Sequence, residues 1–185
     1  MIFGVTGTNG SGKGEVVRYL EEEKGFKHYS VRAYLTEEII RRGLPVNRTN
    51  MRLVSNDLRR TYRHDYYSTM FIEDAEKNGI TDYLMESVRH MAEADNIRKH
   101  GGFIIAVDAD KKLRYERVVL RGTETDKVSF EEFVIQEDAE MTGSGEEQNM
   151  GEVMASADFR IMNEGTLEEL HLRIEEVLAE AKQRI

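Results

Sequence analysis

"VTGTNGSGKGE", Val5 to Glu15, decides how this chain is read. Gly7, Gly12 and Lys13 have the spacing GxxxxGK, with Asn9, Gly10 and Ser11 inside it. An apolar run, "IFGVT" from Ile2, precedes the loop, and an amphipathic segment, Glu15 to Lys24, follows it. Strand, glycine-rich loop, helix is the context a phosphate needs: glycines let backbone N–H groups wrap it, the helix N-terminus adds its dipole, and a lysine bridges the outer oxygens. The loop predicts a nucleotide site whose candidate contacts are Gly7, Asn9, Gly10, Ser11, Gly12, Lys13, Gly14 and Glu15. Two of these depart from the usual pattern. Gly14 stands where a Ser or Thr hydroxyl would ligate magnesium. Glu15 would either favour the first turn of its helix while facing away from the phosphates or act through metal-bound water.

Working outward from the loop, strand-length apolar runs alternate with amphipathic segments. The runs are "IFGVT", "FKHYS" from Phe26, "TDYLMES" from Thr81, "GFIIAVD" from Gly102 and "DFRIMN" from Asp158. Helices are predicted over Glu15 to Lys24, Val31 to Arg42, Thr49 to Arg63, Tyr67 to Lys77, Val88 to Lys99, Lys111 to Arg121, Phe130 to Met141 and Leu167 to Arg184. This order predicts an α/β fold with a parallel sheet covered on both faces. "SFEE" from Ser129 and "TLEE" from Thr166 read as capping boxes. "MTGSGEEQNMGE", Met141 to Glu152, reads as a mobile loop.

At 185 residues and 39% hydrophobic, the chain suits one domain with a sizeable core. It has no Cys, so disulfides, thiolate metal sites and cysteine nucleophiles are excluded. The apolar runs are too short to span a bilayer and no leader pattern precedes the first strand, so a cytoplasmic location is expected. Lys and Arg number 26 against 35 Asp and Glu, a net charge of -9 that argues against broad binding to nucleic acid or anionic membrane. Between Val31 and His64, however, lies a basic island of Arg32, Arg41, Arg42, Arg48, Arg52, Arg59, Arg60 and Arg63. Its cations are all Arg, whose planar fork matches phosphate oxygens. The five histidines show no metal-ligand spacing, and most of them read as solvated. Asp108, at the end of "FIIAVD", is a weak acid candidate that could simply stabilise the following turn.

The Gly12-Lys13-Gly14 triplet resembles nucleoside monophosphate kinases such as the adenylate kinases, and its continuation to Glu15 is similar to an archaeal group of adenylate-kinase-related proteins. The resemblance implies a P-loop nucleotide kinase: a three-layer α/β/α domain over 1–185 with a five-stranded parallel sheet, acceptor-binding helices at about 31–66 and a short lid at about 121–150. It implies ATP and Mg2+ as cofactors and a small nucleotide as partner. In "YLMESVR" it makes Glu86 the metal-water acid and Arg89 the clamp on the acceptor's phosphate, although the family reads Asp-Gly where this chain has Glu86 and Ser87. Arg117 and Arg121 of "LRYERVVLRG" become lid arginines over the donor phosphates. "ADFRIMNEGTLEEL" is similar to dephospho-CoA kinases, which carries Asn163 and Gly165 over as base-binding candidates. An acceptor-side Arg of the family is replaced by Thr36, so Arg32, Arg41 and Arg59 are candidates to take over its contact. Dephospho-CoA kinase, and a regulatory ATP-binding protein or slow ATPase, stay open as alternatives.

Overall fold

The computed structural model describes residues 1–123, 128–143 and 148–185. Five strands, β1 (Ile2–Gly7), β2 (Lys27–Ser30), β3 (Tyr83–Glu86), β4 (Phe103–Asp108) and β5 (Phe159–Met162), form a parallel sheet in the order β2-β3-β1-β4-β5. The helices are α1 (Lys13–Arg18), α2 (Val31–Arg41), α3 (Arg48–Thr61), α4 (Tyr66–Lys77), α5 (Met91–Lys99), α6 (Lys111–Arg121), α7 (Phe130–Met141), α8 (Met150–Ala155) and α9 (Leu167–Arg184).

Alternation along the strands builds two cores. Phe3, Val5, Leu84, Ile105, Val107, Phe159 and Ile161 point to one face, where α1 and α9 cover them. Tyr83, Met85 and Ile104 point to the other, under α2, α3, α4 and α5. Strands buried on both faces read as continuous apolar runs, which is why they are visible in the sequence. Each fully buried large apolar side chain contributes about 1.5–3 kcal/mol, so the two faces together supply most of the driving force. No helix among the described residues is long and apolar enough to cross a membrane.

Three local features differ from expectation. The first helix is α-helical only to Arg18 and continues as a π turn, Tyr19–Glu23, before Gly25 and the buried Phe26 lead into β2. The fifth starts at Met91 rather than Val88, because the Val88 N–H still donates to the Val5 carbonyl and His90 Nδ1 caps the Ala92 N–H. Within the segment from Met141 to Glu152, expected to be a loop, α8 begins at Met150. Met150, Val153 and Met154 are buried, two of them against Ala106, but six residues are too few to display a helical period.

Arg59 and Arg41, expected to reach the acceptor, are engaged elsewhere. Arg59 is 1% exposed; its Nε donates to Glu93 Oε1 at 2.9 Å, its Nη1 donates to Ser55 Oγ at 2.8 Å, and its guanidinium lies 4.9 Å from the Tyr67 ring centre. The other oxygen of Glu93 accepts from the Arg89 backbone N–H at 3.3 Å, so the pair ties α3 to the loop after β3. Arg41 lies at the far end of α2, about 15 Å of helix beyond the sheet edge, and its Nε and Nη2 each donate to Glu38 at 2.7 Å.

These environments set opposite expectations. Arg59→Ala strands a buried carboxylate and should cost about 3 kcal/mol or more in urea unfolding, whereas Arg41→Ala should cost under about 0.5 kcal/mol. Similar midpoints for the two variants would contradict the structural role of Arg59.

Candidate active site

The sheet order places β1 between β3 and β4, and the register pairs Val5 with Glu86 and Gly7 with Val107. The loop after β1 therefore emerges between Glu86 and Asp108 at the carboxyl edge of the sheet, where ligands of open α/β sheets bind. Three glycines are sterically required there, Gly10 among them, since at φ +79° a Cβ on it would lie 2.3 Å from the Arg114 carbonyl oxygen. A Cβ on Gly7 would lie 2.0 Å from the Val107 carbonyl oxygen, and one on Gly12, at φ +91°, would lie 2.1 Å from Asn163 Nδ2.

The loop is fastened from four sides. Thr8 Oγ1 donates to Asp108 Oδ1 at 2.6 Å, and Lys13 Nζ and Ser11 Oγ donate to the Thr8 carbonyl at 3.0 and 2.8 Å. Asn163 Nδ2 donates to the Ser11 carbonyl at 2.9 Å. Arg114, buried, donates to the Asn9 and Ala109 carbonyls and pairs with Glu137. Arg121 Nη2 donates to Asn9 Oδ1 at 3.2 Å. Asn9 Nδ2 is buried with no hydrogen-bond partner among the described residues, a spare donor in a loop already rich in N–H groups. The donor set fits a nucleotide's phosphates.

Lys13 is the electrostatic centre. Burial, followed by the charges of Arg89 and Arg121, lowers its pKa to about 8, while Glu86 and Glu140 act in the opposite direction. Charges on the end of β3, on the loop after it and on the ends of α6 and α7 thus all act on Lys13. Glu86 Oε2 lies 3.2 Å from His28 Nε2 and accepts from Ser30 Oγ at 3.4 Å. The His28 contact holds the Glu86 carboxyl below its usual range and raises the imidazole. His28 also lies 3.3 Å from Glu21, so it belongs to the site's surroundings rather than to open solvent, an exception to the expectation for most of the histidines. No periodicity could have found it, because β2 reaches Glu86 only through strand pairing.

The remaining candidates divide. Arg89 Nη1 donates to Glu140 Oε2 at 2.8 Å and Gln148 Oε1 at 3.4 Å. Arg117 Nη1 donates to the Asn163 carbonyl at 2.9 Å and so pins α6 to the turn before α9. Asn163 spends its side-chain donor on the loop, and Gly165 lies exposed against Glu169 of the Thr166 capping box; both boxes form as expected. Gly14 is exposed on the first turn of α1. Glu15 is bound by Arg18 and lies 2.9 Å from His171, contacts that lower its pKa to about 2 and occupy it away from the loop. Arg32 is exposed on the first turn of α2, while Thr36 Oγ1 donates back to the Arg32 carbonyl at 2.8 Å. The expected lid, 121–150, includes 124–127 and 144–147, which lie outside the described residues; its described part is chiefly α7. Asp108, a weak candidate on sequence grounds, is the residue that grips Thr8.

Among the described residues no group of three or more His, Cys, Asp or Glu is placed to hold a metal ion. A magnesium ion here would be carried on nucleotide phosphates, with Glu86 and Asp108 as the carboxylates able to act through its waters, as this ion's chemistry favours. Ser87, following Glu86, has φ +67° without being glycine. Such a conformation costs about 1–2 kcal/mol and recurs where a backbone is held for function.

Two measurements test these environments. Ser87→Gly should unfold at an equal or higher urea concentration, and Ser87→Val should lose more than about 1 kcal/mol, since a branched side chain tolerates positive φ least. Lys13, half-protonated near pH 8, should become fully protonated beside triphosphate. Calorimetry of Mg-ATP binding in buffers of different ionisation enthalpy should show uptake of about half a proton at about pH 8 and none at about pH 6.

Comparison with known proteins identifies the fold and the family. A UPF0200 protein of Sulfurisphaera tokodaii is 32% identical over 178 residues, covering 96% of this chain and 95% of its own. Among solved structures, TT1252 from Thermus thermophilus superposes with a TM-score of 0.64 at 23% identity, covering 97% of both chains. A gluconokinase from Sinorhizobium meliloti reaches 0.57 at 15% identity over 98% of this chain and 93% of its own, so the fold is that of the P-loop kinases. The family model described as AAA domain matches residues 4–143, and with the UPF0200 likeness it establishes that this chain belongs to that P-loop family and, within it, to the UPF0200 proteins.

Proposed function

We propose that this chain is a nucleoside monophosphate kinase, transferring the terminal phosphoryl group of Mg-ATP to the phosphate of a small nucleotide. The observation that carries this reading is the buried Lys13 of the glycine loop, with Arg121 bonded to Asn9 of the same loop and with Arg89 and the carboxylate Glu86 acting on the lysine's charge, in a protein of net charge -9. Glu86 and Glu140 offset part of this positive charge, and a polyanion entering the site would be attracted by the remainder. Phosphoryl transfer asks for little else, since positioning and charge stabilisation do most of its work.

In this reading an acceptor phosphate oxygen bonds to the γ-phosphorus as the bond to the β,γ-bridging oxygen breaks, releasing ADP. Backbone N–H groups of Gly10, Gly12 and Lys13 would cradle the donor, and Lys13 Nζ would leave the Thr8 carbonyl for the outer phosphates. Arg121 would neutralise charge building on the migrating group, and Arg117 would keep α6 in register with the turn at Asn163 and Gly165. Arg89 would grip the acceptor's phosphate, with Arg32 at the mouth of the acceptor helices. Magnesium bound with the nucleotide would draw charge from the phosphate oxygens, and Glu86, oriented by His28 and Ser30, would order its water.

The likeness of the Asn163 turn to dephospho-CoA kinases supports a hydroxyl acceptor as the second reading. The displacement of Glu15 and the Thr36 substitution favour, from another class, a regulatory ATP-binding protein with slow hydrolysis. ADP formation from Mg-ATP, measured alone and with each ribo- and deoxynucleoside monophosphate and with dephospho-CoA, separates the three. A kinase shows acceptor-dependent turnover that falls at least about 100-fold in Lys13→Ala. Arg89→Ala should chiefly raise the acceptor KM, by about tenfold or more. Hydrolysis indifferent to every acceptor would overturn the kinase reading.

A further inference from the structure

The described part of the lid region bears on how the acceptor is admitted. Along α7, Gln136, Glu137 and Glu140 each meet an arginine from a different part of the site. Gln136 accepts from Arg48 at the start of α3, and Glu137 accepts from Arg114 of α6 and pairs with Lys111. Glu140 accepts from Arg89, the proposed acceptor clamp. One helix therefore spans the donor side and the acceptor side.

These contacts are not equivalent. The side chains of Arg114 and Glu137 are 4% and 8% exposed, and Phe133 is buried beside them, its ring 5.6 Å from that of Tyr115. That cluster anchors the helix. Arg89 and Glu140 are 27% and 21% exposed, so water and solutes reach this pair and it can exchange partners. A carboxylate presents two oxygens to a guanidinium much as a phosphate does, with less charge. Glu140 also acts electrostatically on Lys13, so its charge is felt at the donor loop as well as at the clamp.

We propose that Glu140 holds the place of the acceptor's phosphate on Arg89, and that the phosphate enters by displacing it, so that Glu140 sets acceptor affinity and couples acceptor binding to α7. The proposal rests on the reading of Arg89 as the acceptor clamp. Affinity for the incoming phosphate is reduced by the fraction of time Arg89 spends with Glu140. A pair formed about nine-tenths of the time weakens binding about tenfold. The same exchange releases the last turn of α7 from the acceptor side while Glu137 keeps its anchor.

Calorimetric titration of AMP and of inorganic phosphate into protein already bound to Mg-AMP-PNP tests this, because the donor loop is then filled. Glu140→Gln should tighten both probes about tenfold, and the gain should vanish in the Arg89→Ala/Glu140→Gln double variant against Arg89→Ala alone. Unchanged or weaker binding in Glu140→Gln, a gain that survives without Arg89, or no binding of inorganic phosphate to either protein overturns the proposal. Hydrogen exchange on the unmodified chain gives a second reading that needs no variant: amides at the end of α7 should exchange faster once phosphate joins Mg-AMP-PNP, and unchanged exchange there also counts against it. Failure to bind Mg-AMP-PNP sinks the kinase reading itself and this proposal with it, whereas normal donor binding with an indifferent Glu140 sinks this proposal alone.

Discussion

The close approach of the loop after β1 to β4 is the constraint on which the rest of the structure depends. Gly7 passes so near the Val107 carbonyl that no side chain fits between them, and Thr8 bonds directly to Asp108. That contact turns the loop back over the sheet edge and starts α1 at Lys13. With β3 paired on the other side of β1, Glu86 comes up beside Val5, so that the loop leaves the sheet flanked by the ends of β3 and β4. A single backbone approach thus decides where two carboxylates, the glycine loop and the lysine meet.

The cations gathered there fall into two groups according to burial. Arg59 and Arg114 are built in: each is almost wholly buried, paired with a buried glutamate, and used to hold backbone in place. Their charges are already compensated, and removing one partner would leave the other stranded. Arg89 and Arg121 remain partly open to solvent while sharing the neighbourhood of Lys13. The second group is the one a ligand can reach, and the first holds the backbone around it. Arg59 and Glu93 connect the two, since Glu93 also fixes the backbone of Arg89.

Much of this architecture is legible in the amino-acid sequence. The loop from Gly7 to Lys13, the five apolar runs and the capping boxes at Ser129 and Thr166 are local patterns, and local patterns survive in sequence. The arginines of Lys111 to Arg121 are also visible as one helical face, since residues three or four apart stand side by side. The roles of those arginines are not visible. Arg114, Arg117 and Arg121 share a face, yet one is a buried strut, one holds a turn and one meets the phosphate loop. In the basic island, Arg59 and Arg41 differ in nothing the sequence displays, but α3 turns Arg59 towards Glu93 and Tyr67 while α2 carries Arg41 into solvent.

The sequence by itself determined the fold class, the presence of a phosphate loop and the positions of the main helices, because each follows from residue periodicity or from glycine and capping chemistry within a few neighbours. Tertiary structure alone decided that His28 meets Glu86, that Glu15 turns to Arg18 and His171, that Asp108 holds Thr8 and that Glu140 sits on Arg89. Apart from Glu15 and Arg18, these partners lie 51 to 156 residues apart in the chain, so strand pairing and helix packing, rather than any local pattern, bring their charges within bonding distance.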